Sequence, residues 1–532
     1  MTMTYSTIGS VLFANLETNP DRQAVVFGSR RYTYRQLGEQ VDRLAEALLN
    51  LGIHKGDKVA VNLPNWPEFV FAYFAIVRLG AVLVLVNPRN RLIELRHILQ
   101  DSDAVAIILP VEFEGFEYLP MIRSLRPELP ELRHVIAVGA RKNLESEVLY
   151  LDELIESASG RPVPEAQIDP AADIAFLMYT SGTTGKPKGA MITHAGFVAT
   201  TQVAAAPFEF TLADVFLVLV PVTHIIGFFC LNSAFFVRTR VVLVDIFKAE
   251  PVLQIIEQEK VTVQYAVPTV FTLELASAGK YDISSLRTGM VAGASVPAEL
   301  VRRLIAMGIQ AHIAYGMTES AGGLTGTRFE DDLAARTETV GRALQGVEFR
   351  FVDDRRIVVP EGQVGEIAVR SAGLMKGYYK QPAATAAAID AEGWFYTGDL
   401  GSRDERGNIR IVGRKKDMII RGGYNIYPRE IEDLMFTCPG ILDVAIIGVP
   451  DPVLGEKTCA CIRLQPGASL AEQEIKDFCR GKLADYKVPD YVWFVDAFPQ
   501  TATGKVHRGL LKEALVKAGA PDQIRQSGYK TI

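Results

Sequence analysis

Cysteine is scarce and poorly spaced for any covalent or metal framework. Five thiols, Cys230, Cys438, Cys459, Cys461 and Cys479, are spread over 532 residues. The count is odd and no C-x-x-C pair occurs, which argues against a disulfide scaffold or a zinc site and fits a reducing compartment. The expected location is cytoplasmic. The seven histidines are scattered, with no H-E-x-x-H spacing. A basic excess is also missing. Lys and Arg number 56 against 62 Asp and Glu, a net charge of -6, so nucleic acid is not an expected partner. The N-terminus has no basic start followed by an apolar run, so no signal peptide is read there. Charge is absent from one long stretch, Val215 to Val237. It is long enough to span a bilayer. Pro221, Thr223, His224, Asn232 and Ser233 interrupt it, so a buried strand followed by a buried helix is expected and no stable membrane span.

What is present is a chain too long for one core, ordinary in composition at 48% hydrophobic and 22% charged. An amphipathic helix is predicted over 33–53, a strand over 58–63, a helix over 67–80 and a strand over 81–87. Apolar runs at 104–109, 134–139, 241–245 and 262–267, with a helix near 249–259, continue the alternation. Such runs point to parallel sheets covered on both faces. From about residue 340 short strands with Gly and Asp turns appear: RIVV, EIAVR and GNIRIVGR. After Arg414 the chain reads as mixed α+β, with helices near 428–436 and 471–483 and strands near 443–449 and 458–463. The division expected is 1–412, a hinge at 413–416, and 417–532. The last residues read as a loose tail.

The sharpest local feature is Tyr179-Thr-Ser-Gly-Thr-Thr-Gly-Lys-Pro-Lys-Gly189, leaving the apolar run IAFLM. Gly182, Gly185 and Gly189 let the backbone approach a ligand closely. Thr180, Ser181, Thr183 and Thr184 add hydroxyls, and Lys186 and Lys188 add charge. Such a loop can cradle a polyphosphate. It is not a G-x-x-x-x-G-K-[ST] loop, because the first glycine would fall at Thr180 and Pro187 replaces the Ser or Thr.

Four more segments accompany it: Ala314-Tyr-Gly-Met-Thr-Glu-Ser320, Tyr396-Thr-Gly-Asp-Leu400, Gly413 through Pro428, and Pro499 through Arg508. In this order and spacing the five resemble the adenylate-forming superfamily, which includes acyl-CoA synthetases, firefly luciferase and the adenylation domains of peptide synthetases. The resemblance runs from about residue 10 to 515. It implies an α/β fold: a large N-terminal domain of stacked α/β subdomains with a small β-barrel-like subdomain, then a small mobile α+β C-terminal domain. It implies two half-reactions. A carboxylate attacks the α-phosphate of ATP and expels pyrophosphate; the thiol of coenzyme A then takes the acyl group and releases AMP. It also implies roles. Lys505 would bridge carboxylate and α-phosphate, as a compact charge on a long stem can. Asp399 would accept the ribose hydroxyls, suiting an acceptor-only carboxylate, with Arg414 supporting the nucleotide or forming a salt bridge. Tyr315 would stack on adenine beside Gly316, Thr318 would bond a phosphate, and Glu319 would hold Mg²⁺. Gly293, Ala294 and Ser295 would line the adenine and acyl pocket. Lys416 would be the hinge, and Gly422 and Gly423 would let pantetheine pass.

Pro221-Val-Thr-His-Ile-Ile-Gly-Phe-Phe229 matches the family's P-x-x-H-x-x-G segment, which implies that His224 lies near the carboxylate and gates coenzyme A. The segment offers no carboxylate for an amino acid's ammonium, and burying that charge unpaired is costly. The lining implied is Phe228, Phe229, Val291, Ala292, Gly316, Met317, Gly322, Gly323 and Leu324. A hydrophobic monocarboxylate is therefore expected: medium-chain, alicyclic or aromatic. Delivery to a carrier protein instead of coenzyme A is the alternative. A homodimer is compatible with the sequence, which does not set the oligomeric state.

Overall fold

The computed structural model describes residues 5–141, 147–161, 163–164, 166–180, 186–294, 296–500 and 506–517. Two compact units emerge. The first runs to Arg336 and adds Val340–Glu348 and Arg370–Phe395; the second holds Thr337–Thr339, Phe349–Val369 and the chain from Tyr396 onward.

The first unit is built on two large sheets. One has seven strands in the order Lys188–Thr193, Ile174–Thr180, Val82–Leu85, Lys58–Val61, Ala104–Pro110, His134–Val138, Val148–Tyr150. The other has nine, in the order Arg342–Ala343, Gly322–Gly326, Gln310–Met317, Thr288–Val291, Val263–Ala266, Val215–Val218, Arg240–Leu243, Gln23–Phe27, Arg30–Thr33. Their interiors are parallel, as the apolar runs predict. Antiparallel strands close the edges: Lys188–Thr193 on the first sheet, and Arg30–Thr33, Gly322–Gly326 and Arg342–Ala343 on the second. Apolar runs mark inner strands such as Val82–Leu85 and Val215–Val218, whereas the edge strands RRYT and GGLTG carry charged, polar or glycine residues and no such mark.

Helix Pro67–Arg78 is apolar all round, and every residue from Pro67 to Val77 is buried. A helix with no polar face belongs between layers. Its Phe69 and Tyr73 meet Phe228 of helix Ile225–Phe236, and Tyr73 donates to Asn232 Oδ1 at 2.6 Å. Phe176 and Phe197 complete this aromatic knot. The uncharged stretch at 215–237 is thus a strand and a buried helix, as expected. Among the described residues, no helix is long and apolar enough to cross a membrane.

In the second unit a four-stranded sheet runs Glu348–Val352, Gly365–Arg370, Phe395–Arg403, Ile409–Arg414. A second sheet centres on the long antiparallel pair Ile441–Asp451 and Gly455–Leu464. Alternation along Ile441–Asp451 sends Ile446 to one core, with Ile431 and Met435, and Ala445 and Ile447 to another, with Trp493, Leu511 and Leu515. The RIVV run is not a strand. Asp353 accepts the backbone N–H groups of Arg355 and Ile357, both at 2.9 Å, making a turn that leaves Ile357 and Val358 exposed. All five cysteine thiols are free and buried.

One buried acid sets a pH dependence. Glu274, on helix Pro268–Ser277, meets no cation among the described residues; Gln264 Nε2 donates to its two oxygens at 2.9 and 2.8 Å. Burial pushes its carboxyl up to about 8. Gln264 Oε1 has no hydrogen-bond partner among the described residues, and a half-turn of that amide would bring it to an acid O–H. The folded state therefore holds a proton that the unfolded chain releases near 4.5. The stability contributed by this group is fully present below that point, falls by up to about 1.4 kcal/mol per pH unit as pH rises, and levels off once pH passes 8. Glu274→Gln is expected to flatten this slope. Urea denaturation of both proteins across this range checks it, and an unchanged slope in the variant would refute the assignment.

Candidate active site

The glycine-rich segment connects an antiparallel pair. Strand Ile174–Thr180 leads in and strand Lys188–Thr193 leads out, with Thr180 opposite Lys188 and Tyr179 opposite Gly189. Thr180 Oγ1 donates to the Lys188 carbonyl at 3.5 Å. Ser181, Gly182, Thr183, Thr184 and Gly185 lie outside the described residues. Both flanks are pinned: Tyr179 donates to Asp101 at 2.7 Å, and His97 Nε2 lies 2.7 Å from the Pro187 carbonyl. Lys186 is exposed and Lys188 half-buried. The segment leaves the C-terminal end of a parallel strand, where α/β sheets bind ligands.

A turn of the nine-stranded sheet meets this hairpin. Strand Gln310–Met317 carries Tyr315 opposite Thr325, with a bulge before Gly316. Ser320 Oγ accepts from the Met317 N–H at 3.1 Å and donates to the Gly322 carbonyl at 2.7 Å, folding the chain back. Thr318 is buried, and its hydroxyl lies 3.8 Å from Met178 Sδ of the hairpin strand. Glu319 Oε1 accepts from Tyr378 at 3.0 Å, and the Tyr378 ring lies 5.1 Å from Lys188 Nζ. Burial and the Glu319 carboxylate push the Tyr378 phenol well above its ordinary range. Thr318, Glu319 and Lys188 are thus brought together. The sequence does not single out Tyr378, whose partner Glu319 lies 59 residues away along the chain.

His224 caps helix Ile225–Phe236, its Nδ1 accepting from the Ile226 N–H at 3.4 Å. The turn before it is gathered by Asn65, which the sequence did not single out. Asn65 donates to the carbonyls of Val218, Val220 and Val244 at 3.2, 3.1 and 2.9 Å and accepts from Val222 at 2.8 Å. Of the implied lining, Phe229 faces Gly322, and Gly293 lies against Ile226. Gly323 lies near Ala204 and Leu344. Val291, Ala292 and Leu324 are buried, Met317 is half-buried, Gly316 and Ala294 are exposed, and Ser295 is outside the described residues. Phe228 sits in the aromatic knot, packed on all sides.

In the second unit, Asp399 and Arg414 face each other across paired strands, Arg414 Nε 3.2 Å from Asp399 Oδ1. This ion pair lies within the second unit and does not join two domains. Lys416 is exposed, between strands Ile409–Arg414 and Ile419–Arg421. Gly422 and Gly423 have φ of +57° and +86° and form a two-residue hairpin turn between Arg421 and Tyr424. Two consecutive positive φ values define the turn that hairpins favour, and glycine adopts it freely. A Cβ at Gly423 would meet nothing within 4 Å. Lys505 lies outside the described residues, but its flanks are held: Gln500 bridges Val506, and the His507 N–H donates to Pro499 at 2.7 Å. Arg508 then grips Glu432 with two bonds of 2.8 and 3.0 Å.

Comparison with known proteins places the chain in a family. The AMP-binding enzyme family matches residues 12–379, and the AMP-binding enzyme C-terminal domain matches residues 430–505. The medium-chain fatty-acid–CoA ligase of Escherichia coli (strain K12) is 35% identical over 504 residues, covering 94% of this chain and 88% of its own length. The human mitochondrial medium-chain acyl-CoA ligase ACSF2 is 34% identical, covering 96% of this chain and 87% of its own. A crystal structure of the anthranilate CoA ligase AuaEII with anthranoyl-AMP superposes with a TM-score of 0.90 at 29% identity, covering 98% of this chain and 99% of that one. The chain belongs to the AMP-binding enzyme family, among the acyl-CoA synthetases of the adenylate-forming superfamily.

Proposed function

We propose that this protein is an AMP-forming carboxylate–CoA ligase for hydrophobic monocarboxylic acids. The observation that carries it is the convergence of the glycine-rich hairpin with Thr318 and Glu319 at the C-terminal ends of parallel strands. Lys188 and the hairpin backbone would hold the phosphates of ATP, and Thr318 would bond one of them. Glu319 suits Mg²⁺, a hard cation that takes few protein ligands and keeps phosphate and water oxygens; it would offset charge as pyrophosphate leaves. Tyr315 would face the adenine and Asp399 the ribose. Lys505 would join the carboxylate to the α-phosphate, two anions that otherwise repel. His224 would sit beside the carboxylate. The chain would pivot at 413–416, about Lys416, replacing Lys505 with the Gly422–Gly423 turn for coenzyme A.

Apolar surroundings at Phe229, Ile226, Val291 and Leu324 support an uncharged acyl group. Each methylene is worth only about 1–3 kcal/mol in such a pocket, so neighbouring chain lengths should be accepted. A panel of medium-chain, alicyclic, aromatic and dicarboxylic acids with ATP, Mg²⁺ and coenzyme A, read by AMP release and mass spectrometry, tests this. The expected result is acyl-CoA from monocarboxylates. Best turnover of dicarboxylates would sink the pocket reading, and AMP release only with a carrier protein would move the acceptor. Gly423→Leu is a further prediction. Acyl-adenylate should still form, while thioester formation drops at least about tenfold, because the new side chain fills the space taken by a thin thiol arm. Thioester formation at the wild-type rate would remove Gly423 from that path.

A further inference from the structure

Segment Met375–Tyr379 belongs to no strand, yet it is bonded to both halves of the proposed phosphate site. The Met375 N–H donates to the Glu319 carbonyl at 2.8 Å. On the other side, the Lys376 N–H donates to Met191 at 2.9 Å, the Met191 N–H to Gly377 at 3.0 Å, and the Tyr379 N–H to Gly189 at 2.8 Å. The Tyr378 N–H itself donates to Thr385 Oγ1 at 2.9 Å, which ties it to helix Pro382–Ala388. The backbone of Tyr378 is therefore fixed from three directions. Its hydroxyl donates to Glu319 Oε1 at 3.0 Å, and its ring lies 5.1 Å from Lys188 Nζ.

We propose that Tyr378 is the positioning residue of the phosphate site, aiming the Glu319 carboxylate with its hydroxyl and seating the Lys188 ammonium against its ring. The inference rests on the proposed ligase reading, in which Glu319 meets the metal and Lys188 the phosphates. A carboxylate has two oxygens and about four lone pairs, so accepting one bond from Tyr378 leaves it capacity for a cation. Toward a carboxylate, which only accepts, the phenol O–H is the donor. The ring face attracts the ammonium without neutralising it, leaving its donors for phosphate. One side chain thus sets the spacing between a negative group for the metal and a positive group for the anion.

The test compares Tyr378→Phe, Tyr378→Leu and Glu319→Gln with wild type. Tyr378→Phe keeps the ring and removes the hydroxyl. Half-saturating Mg²⁺ should rise about tenfold, as expected for one lost hydrogen bond to a charged group, and activity should recover at high Mg²⁺. Calorimetric binding of Mn²⁺·ATP without any acid should weaken by a similar factor, with the free protein still unfolding in one cooperative transition. Tyr378→Leu should also weaken ATP binding measured without metal, through Lys188. Adding Tyr378→Phe to Glu319→Gln should cost nothing further, since the hydroxyl acts through that carboxylate. Additive losses, or a Tyr378→Phe defect that Mg²⁺ does not rescue, would overturn the proposal. If wild type binds Mn²⁺·ATP but releases AMP with no acid, the ligase reading falls, while the binding comparison still decides the role of Tyr378.

Discussion

Lys505→Ala is expected to abolish adenylation while leaving the second half-reaction in place. Removing one preorganised charge from a transition state of this kind costs on the order of 10²–10³ in rate. The residue has no place in the proposed transfer step, so a supplied acyl-adenylate should still yield thioester with coenzyme A. The two assays are pyrophosphate exchange for the first step and thioester release for the second. The second unit should stay folded in the variant. Arg508 holds Glu432 and donates to the Ile446 carbonyl at 2.7 Å, and Leu511 and Leu515 anchor the helix that follows. Equal loss of both half-reactions would contradict the role given to Lys505.

Gly227→Ala is expected to destabilise the first unit strongly. A Cβ there would lie 2.3 Å from the Val220 carbonyl oxygen and 2.4 Å from that of Pro221. Both are backbone atoms in the turn that Asn65 grips through Val220 and Val222, so neither can step aside alone. Overpacking of this kind costs about 3 kcal/mol or more. The turn also carries His224, so adenylation should fall as well. Gly279→Ala is the control, since a Cβ there would meet nothing within 4 Å. Urea denaturation decides the matter: a Gly227→Ala midpoint equal to that of the control would mean the turn is looser than its geometry requires.

How far the sequence can be read differs by element. Helix Pro67–Arg78 and the strand–helix pair at 215–236 are plain in PEFVFAYFAIVR and VFLVLVPVTHIIGFFCLNSAFF, because burial on every side demands apolar residues throughout. The hairpin edges are hidden, since QAVVF and RRYT have too few residues for a period to emerge. RIVV misled because β-branched composition was weighed above the Asp353 turn that starts three residues earlier. In the proposed site, Lys188 stands out within the glycine-rich segment itself, while Thr318, Glu319 and the glycine turn enter only through the resemblance. Asn65 and Tyr378 stand out in neither way. Each works by reaching a segment distant in the chain, 153 residues away for Asn65 to Val218 and 59 for Tyr378 to Glu319, and spacing along the sequence holds no trace of such a crossing.

The burial of all five thiols makes the native surface inert toward maleimides. Alkylation would then report only opening of the interior, a mass-spectrometric clock for unfolding without deuterium. The same silence gives a clean background for a cysteine installed at exposed Lys416, where one fluorophore could be attached at a single address and its signal followed through a catalytic cycle.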